Sequence, residues 1–149
     1  MTCLTSLLEL INYGFVLFFG IVIALYLADI QFEDNQTPYI AFILILGAVQ
    51  LLFYLIMGEN LLYKCYPLLI HLPLILLIRF AFHRNIYIAT ISVLSAYLMC
   101  TPRKWFGTLA ASFFHGSPIV SNLVSICVTI PLLCLVIRYI APYIIRLKY

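Results

Sequence analysis

Residues 39–57 read YIAFILILGAVQLLFYLIM: nineteen residues, no charge, and Gln50 as the one strongly polar side chain. A helix needs roughly 20 mostly apolar residues to cross the hydrocarbon core of a bilayer. The stretch is bounded before by the acidic segment 29–35 (DIQFEDN) and after by Gly58, Glu59 and Asn60. Pro38 suits the first turn of such a helix, where its missing N–H costs nothing. The expected structure is therefore a membrane-spanning helix between two polar loops.

The same pattern recurs outward in both directions. The chain has 149 residues, of which 66% are hydrophobic and 9% charged, far more apolar surface than a soluble domain of this size could hide. Spans are expected at about 10–28, 39–57, 65–82, 86–100 and 119–140. Lipid offers no partner for an unpaired backbone group, so helices are the expected form. The polar/apolar alternation of a membrane β-barrel is missing. The fold class that follows is an all-α, polytopic transmembrane bundle: one domain over residues 1–149, with no room for a separate soluble domain.

Residues 105–115 are too short to span. Read as a helix, they put Phe106, Leu109, Ala110, Phe113 and Phe114 on one side and Gly107, Thr108, Ala111, Ser112 and His115 on the other. A short helix lying at the interface or re-entering it is expected there, separated from span four by Thr101, Pro102, Arg103 and Lys104. The competing arrangement joins it to span four through a kink at Pro102. Pro142 marks a bend before a basic, aromatic tail.

The acids Glu9, Asp29, Glu33, Asp34 and Glu59 all precede residue 60, and all eight bases follow residue 63. Orientation follows the bases in short loops. With the N-terminus outside, the cytoplasmic side receives Arg79, Arg84, Arg138, Arg146 and Lys148, and the outer side Lys64, Arg103 and Lys104. The expected arrangement is N-terminus out and C-terminus in. Residues 1–9 carry no Lys or Arg, so the first apolar stretch reads as a retained helix rather than a secretory leader. The lipid bilayer is the first partner; scattered bases around apolar spans argue against nucleic acid.

Several residues stand out in or beside the spans, each with a simpler structural reading next to any functional one. His71 lies well inside a span, between Pro67 and Pro73, whose missing donors free backbone carbonyls. It reads either as a ligand contact or hinge, or as a neutral side chain bonded to a neighbouring helix. Gln50 needs a hydrogen-bond partner in hydrocarbon, and helix–helix contact is its simpler reading. Arg79 is near a helix end, so snorkelling to the interface explains it without any function. Ser117, Ser121, Ser125 and Thr129 recur every four residues and make a small polar stripe suited to close helix packing, within the chain or with a second copy. Ala89, Ser92 and Ala96 form a similar face.

No Gly-rich phosphate loop, Ser/His/Asp set or His-x-x-x-His pair occurs, so the chain is not expected to be an enzyme. Cys3, Cys65, Cys100, Cys127 and Cys134 show no metal-like pairing and read as buried apolar thiols. No cofactor or metal is implied.

Two stretches have a family likeness: 66–74 (YPLLIHLPL), continuing to Arg79 and Phe80, and 92–107 (SVLSAYLMCTPRKWFG). A weaker one is 138–143 (RYIAPY). Together they resemble the N-terminal membrane region of sensor histidine kinases from Firmicutes that carry a GHKL-type ATPase domain. The likeness covers roughly residues 60–145. It implies signal reception in a two-component system, homodimerisation or pairing with partner membrane helices, and an extracellular or membrane-borne signal. The family continues into more spans and a cytoplasmic kinase, so the sequence looks like the front portion of such a sensor, truncated or shortened. The alternatives are a small transporter or channel component, or an accessory membrane protein that packs with a larger partner.

Overall fold

The computed structural model describes residues 2–32 and 35–146. The described residues are helical throughout, joined by short turns, with no strand among them. Helix α1 is Thr2–Leu27, α2 is Gln36–Met57 and α3 is the short Glu59–Lys64. Helix α4 is Pro67–Phe80, α5 is Ile86–Ser112 and α6 is Pro118–Arg146. Helices α1, α2, α5 and α6 are long and apolar enough to cross a membrane, and α4 is a shorter apolar helix. Glu33, Asp34, Lys148 and Tyr149, to which the sequence assigns loop and tail positions, lie outside the described residues.

Cross-helix bonds fix the order of packing. Tyr39 Oη donates to the Val22 carbonyl (3.2 Å), and Tyr13 Oη donates to Gln50 Oε1 (2.7 Å), so α1 and α2 run antiparallel. Arg84, in the turn before α5, bonds to Asp29 just after α1. Arg103 on α5 bonds to Asn12 near the start of α1, so these two helices are also antiparallel. The turn after Ser112 then sends α6 back beside α5. Residues 28–32, Asn35, the turn 81–85 and the end of α6 thus share one end of the bundle. The start of α1, the α2–α3 turn and the α5–α6 turn share the other.

Helix α1 is the centre. Phe19, Ile21, Ile23, Ala24, Leu25, Leu27 and Ala28 are almost fully buried, and they pack with Tyr39, Ile78, Val93 and Val136 from the surrounding helices. The outer surface is apolar. Leu44, Ile45, Leu52, Leu55 and Ile56 of α2 are all exposed, an arrangement that suits lipid and not water. Cys127 and Cys134 also face outward, so only part of the expected cysteine burial is found; Cys65 and Cys100 are half-buried.

The largest departure from expectation is at Pro102. Helix α5 runs unbroken from Ile86 to Ser112, so residues 105–115 are not a separate interfacial helix, and span four does not end at Cys100. A proline inside a helix costs about 3 kcal/mol, because it withdraws one N–H and crowds the carbonyl four residues back. Breaking the helix would instead leave several backbone groups unpaired in an apolar setting, each costing several kcal/mol. Residues 101–112 therefore continue span four as one helix, the joined arrangement rather than the separate one.

Two other prolines are accommodated by widening the helix. Pro67–His71 and Val136–Ile140 are π-helical turns, and each ends one residue before a Leu72-Pro73 or Ala141-Pro142 pair. In both, the residue preceding the proline donates its N–H five residues back: Leu72 to Pro67, Ala141 to Val136. The extra residue moves the carbonyl four before the proline away from its ring. The helix therefore continues through Pro142 to Arg146.

Candidate functional site

Arg103 and Lys104 are adjacent in sequence and so point about 100° apart around α5. Lys104 is exposed, whereas Arg103 is only 2% exposed and is the largest fully buried side chain of the bundle. A guanidinium in such a place needs hydrogen-bond acceptors on every side. Three come from two neighbouring helices. Nε donates to Thr129 Oγ1 at 3.0 Å, and Nη2 donates to Asn12 Oδ1 and, at 3.4 Å, to the Ser125 carbonyl.

These acceptors are themselves held. Thr129 Oγ1 donates to the Ser125 carbonyl at 2.7 Å, a side-chain bond back along its own helix. Asn12 Nδ2 donates to Asn122 Oδ1 at 2.7 Å. Ser125 Oγ donates to the Arg103 carbonyl at 3.4 Å. One polar knot therefore ties α1, α5 and α6 together.

The knot requires α5 and α6 to lie very close, and Gly107 makes this possible. A Cβ at Gly107 would overlap Ser125 Oγ and stand 2.6 Å from the Ser121 carbonyl oxygen. Ser121, Ser125 and Thr129 thus face α5 of the same chain. Ser117 sits at the N-cap position of α6, before the turn in which Pro118 follows, and makes no side-chain capping bond. Ala89, Ser92 and Ala96 are buried on another part of α5.

Beside the knot is a cleft of about 770 Å³. Arg103, Lys104, Asn12, Asn122 and Thr108 give it a polar wall; Tyr13, Tyr66, Tyr97 and Trp105 give it aromatic surfaces; Glu9 also lines it. Among the described residues no carboxylate lies within ion-pair distance of Arg103; the ion pair found is Arg84–Asp29 at 3.1 Å, at the opposite end of the bundle.

His71 is half-buried at the end of its π turn. Its ring stands edge-on to Tyr66 (5.2 Å between centroids) and to Tyr97 of α5 (5.1 Å). The expected link from span three to a neighbour is therefore made by ring contacts, not by a hydrogen bond among the described residues. Tyr66, Tyr97 and Pro67 also line the cleft, so His71 stands directly behind its wall.

Gln50 is buried and bonded at both ends. It accepts from Tyr13 and donates Nε2 to the Leu69 carbonyl at 3.3 Å. Leu69 is four residues before Pro73 and so lacks its regular α-helical donor; Gln50 supplies one. Arg79 is exposed and donates to the Arg84 carbonyl at 3.3 Å.

The sequence reading grouped His71, Pro67, Pro73 and Gln50, and the fold does bring them together around α4. Arg103, Asn12 and Asn122 carry no comparable signal in the sequence. Arg103 was hidden by its neighbours, because Thr-Pro-Arg-Lys has the composition of a loop. Comparison with family models, curated proteins and solved structures finds no match to this chain.

Proposed function

We propose that the chain is the signal-receiving membrane module of a two-component sensor, with the Arg103 cleft as its receiving site. The observation that carries this reading is a buried cation on α5, bonded to α1 and α6, on the wall of an open cleft. An occupant that bonds to Arg103 changes the balance of bonds holding α1 and α6 to α5. A ligand shifts such an equilibrium only by its difference in affinity for the two packings. Helix α6 then continues through the π turn Val136–Ile140 to Arg146. A π turn is a natural place for a change in helix register, and so for relay to a kinase that follows. The likeness of residues 60–145 to kinase input regions supports the same direction of relay.

In this reading the chain crosses a cell membrane five times, with the N-terminus outside and the C-terminus cytoplasmic. The cleft then opens toward the outer face. The pairing of two such modules is the family norm and the arrangement proposed here. The test is a chimaera in which residues 1–149 precede a histidine kinase catalytic region, with output read at matched membrane expression. Arg103→Gln is expected to lock output at one level. Output identical to the parent in both level and response would remove the cleft from signalling.

A further inference from the structure

The guanidinium of Arg103 is not fully used by the protein. Its Nε and Nη2 are bonded, but Nη1 has no hydrogen-bond partner among the described residues. No fully enclosed side-chain nitrogen or oxygen among those residues lacks a partner, so Nη1 reaches accessible space. Arg103 lines the cleft, and the cleft is that space. The three acceptors already on Arg103 are neutral oxygens, so its charge is hydrogen-bonded but not compensated.

We propose that Arg103 binds an oxyanion carried on an apolar body that enters the cleft lined by α1, α5, α6 and the start of α4. Nη1 presents its N–H donors to a carboxylate or phosphate oxygen, and charged bonds of this kind are about twice as strong as neutral ones. Lys104 adds a second cation on the cleft wall, while Thr108 and Asn122 offer neutral polar groups. Tyr66, Tyr97 and Trp105 provide aromatic surface for the apolar part of the same molecule. The shared chemistry is an amphipathic monoanion, which either a soluble carboxylate or an anionic lipid headgroup can supply. The inference rests on the cleft being the receiving site, but binding can be measured without any kinase. A silent chimaera and an empty cleft are therefore separate results.

Trp105 is the single tryptophan of the chain and lines the cleft, so its fluorescence reports occupancy. The purified chain in neutral phosphatidylcholine discs is titrated with 3-phenylpropionate and, separately, with 3-phenylpropionamide, which has the same body without the charge. Saturable quenching by the carboxylate, with the amide at least tenfold weaker, is expected. Arg103→Gln should weaken the carboxylate at least tenfold at an unchanged helical content. Lys104→Gln, at an exposed position that does not hold the fold, should weaken it about threefold. Discs doped with phosphatidylglycerol distinguish the sources: competition identifies a headgroup as occupant, and unchanged affinity identifies a soluble carboxylate. Equal binding of acid and amide overturns the proposal, as does full affinity in Arg103→Gln. If Arg103→Gln fails to fold, full affinity in Lys104→Gln together with no acid–amide difference overturns it.

Discussion

Gly107 on α5 and Ser125 on α6 face one another with no space for a methyl group between them. The nearest backbone oxygen of α6, that of Ser121, would stand 2.6 Å from a Cβ at Gly107, well inside van der Waals contact. This approach lets Ser125 and Thr129 reach Arg103, so the seam and the polar knot depend on each other.

Gly107→Ala should therefore separate α5 from α6 and loosen the knot. Overpacking of this kind costs about 1–3 kcal/mol, and loss of Arg103 bonds adds to it. Thermal unfolding in detergent is the measurement. Ser121→Leu and Ser125→Leu should destabilise by a similar route, and Ile126→Leu, off the stripe, should be mild. Equal melting temperatures for Gly107→Ala and the parent would show that the seam tolerates spreading.

The seam was half legible in sequence. A stripe of small polar residues every four positions marks a close-packing face, because side chains at that spacing share one side of a helix. What the stripe packs against depends on how the chain returns, and that turned on Pro102. Pro-Arg-Lys has the local chemistry of a helix end, but the cost of exposed backbone outweighed the local preference. With the helix carried through to Ser112, Gly107 moved from an expected interfacial helix to the bundle's interior. Arg103 moved with it, from a loop base to a buried hub. The all-helical class and the apolar character of the spans needed only hydropathy, which is why they were readable without tertiary information, whereas the full length of α5 was not.

Gln50 should matter through Pro73. Its Nε2 reaches the Leu69 carbonyl that Pro73 leaves without a regular donor. Gln50→Leu should destabilise the protein by about 1–2 kcal/mol, the range for a polar group deprived of its partner in an apolar setting. In a Pro73→Ala background a backbone N–H is restored, and the loss should be smaller. A double-mutant cycle measures the difference, and strict additivity would show that the two residues act independently.

The order of helices makes a topological prediction. Cysteines introduced at Asn35 and Asn85, in a background where the native cysteines are replaced, should be labelled from one side of the membrane. Those introduced at Gly58 and His115 should be labelled from the other. The basic residues argue that the Asn35 and Asn85 side is cytoplasmic. Labelling of Asn85 and His115 from the same side would mean that α5 does not cross.

The exposed Arg84–Asp29 pair should contribute little as an ion pair. Its side chains are 33% and 42% exposed, and such pairs are worth about 0–1 kcal/mol. Arg84 also donates to the Asp29 carbonyl at 2.6 Å, and Asp29 has a positive φ of 60°. Asp29→Asn keeps that carbonyl bond and tolerates the backbone, so it should melt within about 0.5 kcal/mol of the parent. Arg84→Ala, which removes both bonds, should cost more. The reverse ranking would assign the stabilisation to the carboxylate.

His71 tests whether the wall behind the cleft is set by ring contacts. The imidazole stands edge-on to Tyr66 and Tyr97, which both line the cleft, and it ends the π turn that precedes Pro73. Edge-to-face ring pairs contribute about 0.5–1.5 kcal/mol beyond burial. His71→Phe keeps the rings in contact and should stay near the parent in stability and in chimaera output. His71→Leu makes the segment more hydrophobic, so insertion should be unaffected, but it removes both edge contacts and frees Tyr97 to move. It should lower the melting temperature modestly and shift output to a fixed level. His71→Gln keeps a donor and an acceptor without a ring, and should resemble Leu more than Phe. The three variants are compared at equal membrane expression. If Gln matches the parent and Phe does not, His71 acts through a hydrogen bond and the ring contacts are incidental. If all three match the parent, the position does not shape the cleft at all.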